Sequence, residues 1–278
     1  MNGTQRKFTV TVAITRGESG SVADLVAART GLSKGVVKDA MNKGALWIRK
    51  KKGGLRRLRK ATAHGVPGNT LEFFYDERVL SVKPPEAVCL SDQTHYSVWF
   101  KPPGLMAQGT MYGDHCSLLR QAELYFKPSR DVFLVHRIDR EASGIMLIAH
   151  TKDAAGKLSV LFQKNLILKR YRATVLGDVS ERGMAGTIDL PLDGKAAHTE
   201  YQAVSYDPQS NTSRVNVIIT TGRLHQIRRH FDMIGHPVMG DPKYGKRNKN
   251  VEGMKLTAVS LKFHCPFRDE EIEFNLPE

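Results

Sequence analysis

Hydrophobic residues alternate with polar ones across Phe8-Thr9-Val10-Thr11-Val12, the period-two signature of a strand with one buried face. The period then lengthens. Val22, Leu25 and Val26 fall at helical spacing, and Ser33 is a good N-cap for a second helix burying Val36, Val37, Ala40 and Met41. Lys43-Gly44 stops that helix with a cation in the last turn and then glycine. A strand is expected over 45–49, a hairpin tip at Gly53-Gly54, a turn at Gly68-Asn69 and a strand over 71–75. Lys83-Pro84-Pro85-Glu86 interrupts both periods and reads as a linker, with the domain boundary at 80–90. Beyond it, strands are expected over 96–100, 132–135, 144–149, 169–176, 199–205 and 214–220, and helices over 152–163 and 223–234. Strands outnumber helices and often follow one another directly. That pattern predicts an α+β fold with a mixed, largely antiparallel sheet and flanking helices, not a doubly wound parallel one. The expected organisation is a small basic α+β domain over 1–80, a linker over 81–94 and a larger domain over 95–278.

Charge sharpens this division. The chain of 278 residues has a net charge of +14, and residues 1–85 hold 17 Lys/Arg against 6 Asp/Glu. The remainder is close to neutral, so the basic end reads as an electrostatic docking module. Nucleic acid and an anionic membrane both fit such a module, as does a merely solvated basic surface. Between residues 49 and 60 there are eight cations and no acid. The N-terminus lacks an apolar signal core, and no apolar run approaches the length of a membrane span. Cys89, Cys116 and Cys265 are far apart, with neither metal-ligand spacing nor a disulfide framework. A cytosolic, membrane-free protein is expected.

The chemistry-bearing residues lie in the larger domain. In His136-Arg137-Ile138-Asp139-Arg140-Glu141-Ala142-Ser143-Gly144 one carboxylate stands between two arginines, directly after a short apolar run. Nearby cations favour its charged form and burial opposes it. Over 169–175, Tyr171, Ala173 and Val175 share one strand face, and Arg170, Arg172 and Thr174 share the other. Tyr171 is then either core or a platform on which a base stacks. If 223–234 is helical throughout, Leu224, Ile227, Phe231 and Ile234 line one face with Arg228 at its margin, while His225, Arg229 and Asp232 point elsewhere. An arginine there either snorkels to water or needs an anionic partner, for which Asp139 is the obvious candidate. His225 and His230 are five apart and diverge on a helix, so they predict no metal site. Ser143-Gly144 lacks a nucleophile elbow, and Gly240-Asp241-Pro242-Lys243-Tyr244-Gly245 reads as a tight turn.

Two family resemblances rest on these stretches. LSKGVVKDAMNKGAL (32–46) and the strand after it resemble the small RNA-binding domain named after ribosomal protein S-four. That resemblance implies that the second helix and the cations Lys50, Lys51, Lys52, Arg56, Arg57, Arg59 and Lys60 grip RNA phosphates. HRIDREASGIMLIA (136–149), KRYRATVLG (169–177), TGRLHQIRRH (221–230) and GHPVMGDPKYG (235–245) occur in the order of the RluA family of RNA pseudouridine synthases. KPPGLMAQGT (101–110) resembles that family's opening strand and loop. The resemblance covers 95–265 and implies the pseudouridine synthase fold and an isomerase, which detaches uracil from ribose, turns it and rejoins it through carbon.

It further implies that Asp139 is the catalytic aspartate, that Tyr171 packs on the target uracil and that Arg228 pairs with the aspartate. Arg137 matches the residue that enters the space left by the flipped base. His136, Arg223, His225, Gln226 and Lys101 lie in the matched motifs as substrate-binding positions. Ala142 departs from the family, where threonine is common, and Ile138 and Met146 replace commoner leucines. Neither a metal nor an organic cofactor is implied, and the family is typically monomeric. The expected substrate is ribosomal RNA, the alternatives being transfer RNA or a non-catalytic assembly role.

Overall fold

The computed structural model describes residues 5–17, 20–246 and 248–277. They fall into two units, one of Met1–Pro84 with Gln108–Arg120, the other of Pro85–Ala107 with Gln121–Glu278.

The first unit is built from β1 (Lys7–Ala13), α1 (Val22–Thr30), α2 (Lys34–Asn42), β2 (Leu46–Arg49), β3 (Leu55–Arg57), β4 (Thr70–Asp76) and the short α3 (Glu77–Leu80). Its strands form an antiparallel sheet in the order β1-β4-β2-β3. Ser21 and Asp24 make a reciprocal capping box at α1, and Ser33 accepts from Val36 N–H at the start of α2. Gly31 ends α1 at φ 69°, a left-handed turn that L side chains rarely adopt. Val22, Val26, Val37 and Met41 are fully buried against Leu46, Leu71 and Phe73 of the sheet. Each such burial contributes about 1.5–3 kcal/mol.

Residues 108–120, expected in the larger domain, pack within this unit. Trp47 Nε1–H donates to the Met111 carbonyl at 2.9 Å, and Asp114 receives Arg57 Nε at 3.1 Å together with the Arg59 guanidinium. A segment distant in sequence thus supplies the acid that the basic run lacks.

The second unit contains β5 (Val88–Asp92), β6 (Tyr96–Lys101), α4 (Leu118–Tyr125) from Gln121 onward, β7 (Phe133–Leu134), β8 (Ser143–Ala149), α5 (Lys152–Gln163), β9 (Leu168–Leu176), β10 (Ala185–Ile188), β11 (Thr199–Asp207), β12 (Thr212–Ile219), α6 (Gln226–Met233), β13 (Leu256–Cys265) and β14 (Glu270–Asn275). Its sheet runs β10-β11-β12-β9-β13-β8-β6-β5, with β14 on β13 and β7 on β8. The β8–β13 pair is parallel and the other pairs are antiparallel. The fold is α+β with a mixed, largely antiparallel sheet, as the pattern predicts. Residues 88–92, expected in the linker, form a strand paired with β6. The two prolines at 84–85 stop short of it, and Val88 and Leu90 alternate with more buried positions.

The order of strands positions the site. β9 lies between β12 and β13, and Tyr171 stands opposite Val217 and Ala258. β8 meets β13 at Ser143 and Gly144, directly after the segment carrying Asp139. Gly144 has φ 128°, and a Cβ there would lie 2.3 Å from the Ala258 carbonyl oxygen. Only glycine admits this approach of two backbones.

Candidate active site

The loop that holds Asp139 is fixed from below by a lysine. Lys101, at the end of β6, is fully buried, and its Nζ donates to the carbonyls of Ala142 at 2.6 Å, Leu105 at 2.7 Å, Pro102 at 3.0 Å and Arg140 at 3.2 Å. Burial pushes this ammonium down to about 8, opposed by the charges of Glu141 and Asp139. Lys101 therefore serves the loop, and the substrate-binding role expected of it does not fit: its donors are turned to backbone carbonyls. His136 differs from expectation in the same way. Its ring stacks on Phe162 at 4.2 Å, and its Nε2 accepts from Leu147 N–H at 2.9 Å. Burial, helped by the charge of Lys169, pushes the imidazole down to about 3, so it is neutral and structural.

Asp139 presents its two oxygens differently. Oδ2 accepts from Arg228 Nη1 at 2.8 Å, whereas Oδ1 lies 3.9 Å from His225 Nε2, beyond hydrogen-bond reach. Arg228 is buried at 2 % side-chain exposure, and its other edge grips Asp241, with Nε to Oδ2 at 2.6 Å and Nη2 to Oδ1 at 2.8 Å. Burial opposes the guanidinium charge, but the hydrogen bonds to Asp241 and Asp139 outweigh it and raise the pKa above the ordinary value. Asp241 is likewise opposed by burial, yet Arg228 and the N–H groups of Lys243 and Tyr244 hold it below the usual carboxylate range. The expectation of an anionic partner for Arg228 thus meets two carboxylates. The second lies in the segment read from sequence as a turn.

The segment 223–225, expected as helix, is not helical. α6 starts at Gln226, because His225 adopts the left-handed conformation at φ 53°. The change turns His225 toward Asp139 instead of away from it. Its Nδ1 pairs with the Tyr244 hydroxyl at 3.1 Å, and burial lowers its pKa. Leu224 is exposed rather than part of the apolar face, while Ile227 and Phe231 are buried. Gln226 is buried and committed internally: its Oε1 accepts from Thr221 Oγ1 and Arg223 N–H, and its Nε2 donates to the His198 carbonyl. It lines the cleft but has little left to offer a substrate. Arg223 also lines the cleft, with its Nε donating to the Ala196 carbonyl at 2.9 Å.

Asp139, Arg228, Tyr171, Arg137 and His225 converge on one cleft of about 100 Å³, completed by Ile138, Ala142, Ile219 and Leu256. Its volume suits a single extruded ring and not a stacked helix. Burial first, and then the charge of Asp139, raise the Tyr171 pKa, so the phenol keeps its proton at neutral pH. Arg137 is exposed at the cleft wall. Ala142 is 2 % exposed and packs with the core around Ala173 and Leu256.

In the first unit Lys50, Lys51, Lys52, Arg56 and Lys60 are exposed on the β2–β3 hairpin and the strand end after it. Arg57 and Arg59, expected to grip phosphate, are instead only partly exposed and paired with Asp114, and Arg57 also lies over the Trp47 ring at 4.2 Å. Among the described residues no group of three or more His, Cys, Asp or Glu side chains is arranged to hold a metal ion, and no helix is long and apolar enough to cross a membrane.

Comparison with known proteins gives one answer. The family model for RNA pseudouridylate synthase matches residues 95–233. A dual-specificity RNA pseudouridine synthase RluA from Vibrio parahaemolyticus is 33 % identical over 187 residues, covering 60 % of this chain and 73 % of the relative. A ribosomal large subunit pseudouridine synthase C from Vibrio vulnificus is 27 % identical over 270 residues, covering 88 % of this chain and 84 % of the relative. The solved structure of human RNA pseudouridylate synthase domain containing 1 shares the fold at a TM-score of 0.60 and 22 % identity, covering 71 % of this chain and 86 % of that one.

Proposed function

The chain belongs to the RNA pseudouridylate synthases, an isomerase family, and from that premise we propose that it converts a uridine of ribosomal RNA to pseudouridine with Asp139 at the reacting centre. The observation that carries this reading is the asymmetry of Asp139. One oxygen is tied to Arg228, and the other is left free in a cleft the size of a single base, beside Tyr171.

The target ring atoms are unreachable in a stack, so the nucleotide must be extruded at a cost of a few kcal/mol. Arg137, exposed at the cleft wall, is suited to refill the gap. The Tyr171 ring packs on the uracil, and its phenol, which keeps its proton, has a hydrogen to donate. In the reaction the N1–C1′ bond breaks, a C5–C1′ bond forms, C5 loses a proton and N1 gains one. The overall composition is unchanged, so the reading requires no metal or organic cofactor. Asp139 Oδ1 is available to the ribose or to the base.

The 1–80 region docks RNA through Lys50, Lys51, Lys52, Arg56 and Lys60, while Arg57 and Arg59 support the hairpin from within. Residues 95–278 carry the chemistry. The protein works as a cytosolic monomer, in keeping with its free thiols at Cys89, Cys116 and Cys265.

Mapping pseudouridine in total RNA with and without the gene tests the function and separates ribosomal from transfer RNA. Loss of a ribosomal pseudouridine, restored by the wild-type gene but not by Asp139→Asn, is expected. An unchanged map overturns the reading.

A further inference from the structure

At the back of the cleft one buried guanidinium is shared by two carboxylates, Asp139 on the cleft wall and Asp241 behind it. Arg228 offers one guanidinium to two carboxylates, and the allocation is unequal: two hydrogen bonds go to Asp241 and one to Asp139. Asp241 has no solvent exposure, and its Oδ1 also accepts from the N–H groups of Lys243 at 2.8 Å and Tyr244 at 3.1 Å. It is a fixed anion that no movement of water can replace. Asp139, at 22 % exposure, opens to the cleft.

We infer that Asp241 is a positioning residue that sets the basicity of Asp139 by taking up most of the charge of Arg228. The inference rests on the assignment of Asp139 to the reacting centre. Without Asp241, Arg228 would stand as an uncompensated cation at 2.8 Å from Asp139 and would drain its carboxylate of the electron density needed to attack carbon or accept a proton. With Asp241, Arg228 acts as an oriented donor. It fixes the Asp139 rotamer while its charge is largely cancelled.

Other groups facing this centre act in both directions. His225 and Tyr171 approach Asp139 and hold no charge at neutral pH, since burial lowers the first and raises the second. Lys101 lies beneath the loop and Glu141 opposes it. Lys243 and the ring of Tyr244, 5.2 Å from the guanidinium, flank the other side, and Arg137 lines the cleft mouth. None of these groups is a second buried anion hydrogen-bonded to Arg228.

The test follows the Asp139 carboxyl carbon by NMR titration in the full-length protein, identified by its absence in Asp139→Asn. Asp241→Asn keeps an oxygen for the two backbone donors. Because the new amide N–H2 faces the Arg228 Nε–H and works against folding, Asp241→Ser provides a smaller neutral alternative. In a folded variant the Asp139 titration midpoint is expected to fall by roughly one pH unit. The acidic limb of the kcat/KM profile is expected to move with it, and kcat to drop by up to about tenfold with KM for RNA unchanged. A midpoint that stays put or rises in a folded variant overturns the inference, even if activity falls, because a purely structural Asp241 would act that way. The titration needs no turnover, so the two ideas fail separately. Full activity in Asp139→Asn would sink the role of Asp139 and leave the titration result standing.

Discussion

Replacing Arg228 by lysine conserves the charge and removes the fork, which separates geometry from electrostatics. The guanidinium makes hydrogen bonds of 2.6, 2.8 and 2.8 Å to two carboxylates, and a lysine ammonium, whose donors all leave one atom, can hold only one of them at good geometry across the space the fork spans. Two charged hydrogen bonds are lost, at about 1.5–3 kcal/mol each. Asp241 has no exposure through which water could repair the loss. The expected destabilisation is therefore ~3–5 kcal/mol, the range for breaking a buried pair. For a body of this size that lowers the melting temperature by roughly 6–20 °C. Activity should fall further than folding accounts for. A lysine drawn to the buried Asp241 releases Asp139, and loss of that one bond corresponds to roughly 10- to 100-fold in kcat. Urea unfolding measures the first quantity, and tritium release from RNA labelled at uracil C5 measures the second. A folded Arg228→Lys protein within about 1 kcal/mol of the parent would refute the reasoning, because the fork would then contribute nothing beyond its charge.

Further outcomes follow from the same geometry. His136 is neutral when folded, with a pKa of about 3, and binds a proton near its ordinary value when unfolded. Its contribution is complete above that ordinary value and is lost as pH falls toward 3, at up to about 1.4 kcal/mol per pH unit. His136→Gln, which can still accept from Leu147 N–H, should flatten that slope in urea titrations between acid and neutral pH, and an unchanged slope would contradict the assignment. Gly144→Ala would place a Cβ 2.3 Å from the Ala258 oxygen at φ 128°, so thermal melting should show a loss of about 2–4 kcal/mol. A melting temperature equal to that of the parent would mean that the two strands part without cost. Neutralising Lys50, Lys51 and Lys52 together should reduce the slope of log Kd against log salt by roughly 2, read by filter binding, and an unaltered slope would remove the hairpin tip from the RNA contact.

Local signals foretold most of the elements. Ser33 caps α2, and the 152–163 helix runs as its periodicity predicts. β13 was illegible because its pattern changes phase. Leu256 and Ala258 are buried, then Ser260 and Leu261 in succession, then Phe263 and Cys265, with a register shift against β9 between Ala258 and Ser260. The pairing of Arg228 with Asp139 could be proposed from an arginine on the margin of an apolar stripe. Asp241 could not, because a Gly-Asp-Pro stretch has every local reason to be a turn, and it is one. Its burial is imposed by an arginine arriving from α6. The start of α6 failed for a related reason. Periodicity extends through Leu224, but the left-handed backbone at His225 follows from tertiary demands that spacing does not encode.

The lysine beneath the Asp139 loop has a consequence for how this enzyme tolerates change. Lys101 holds carbonyl oxygens and touches no side chain through its hydrogen bonds. Every residue type carries a carbonyl, so the shape of the loop is specified by a side chain on a different strand and not by the loop's own letters. Ala142 serves as well as any other residue there because the gripped atom is its backbone oxygen. The loop's side chains can be exchanged within the space available, whereas one substitution at 101 would unfasten the whole segment.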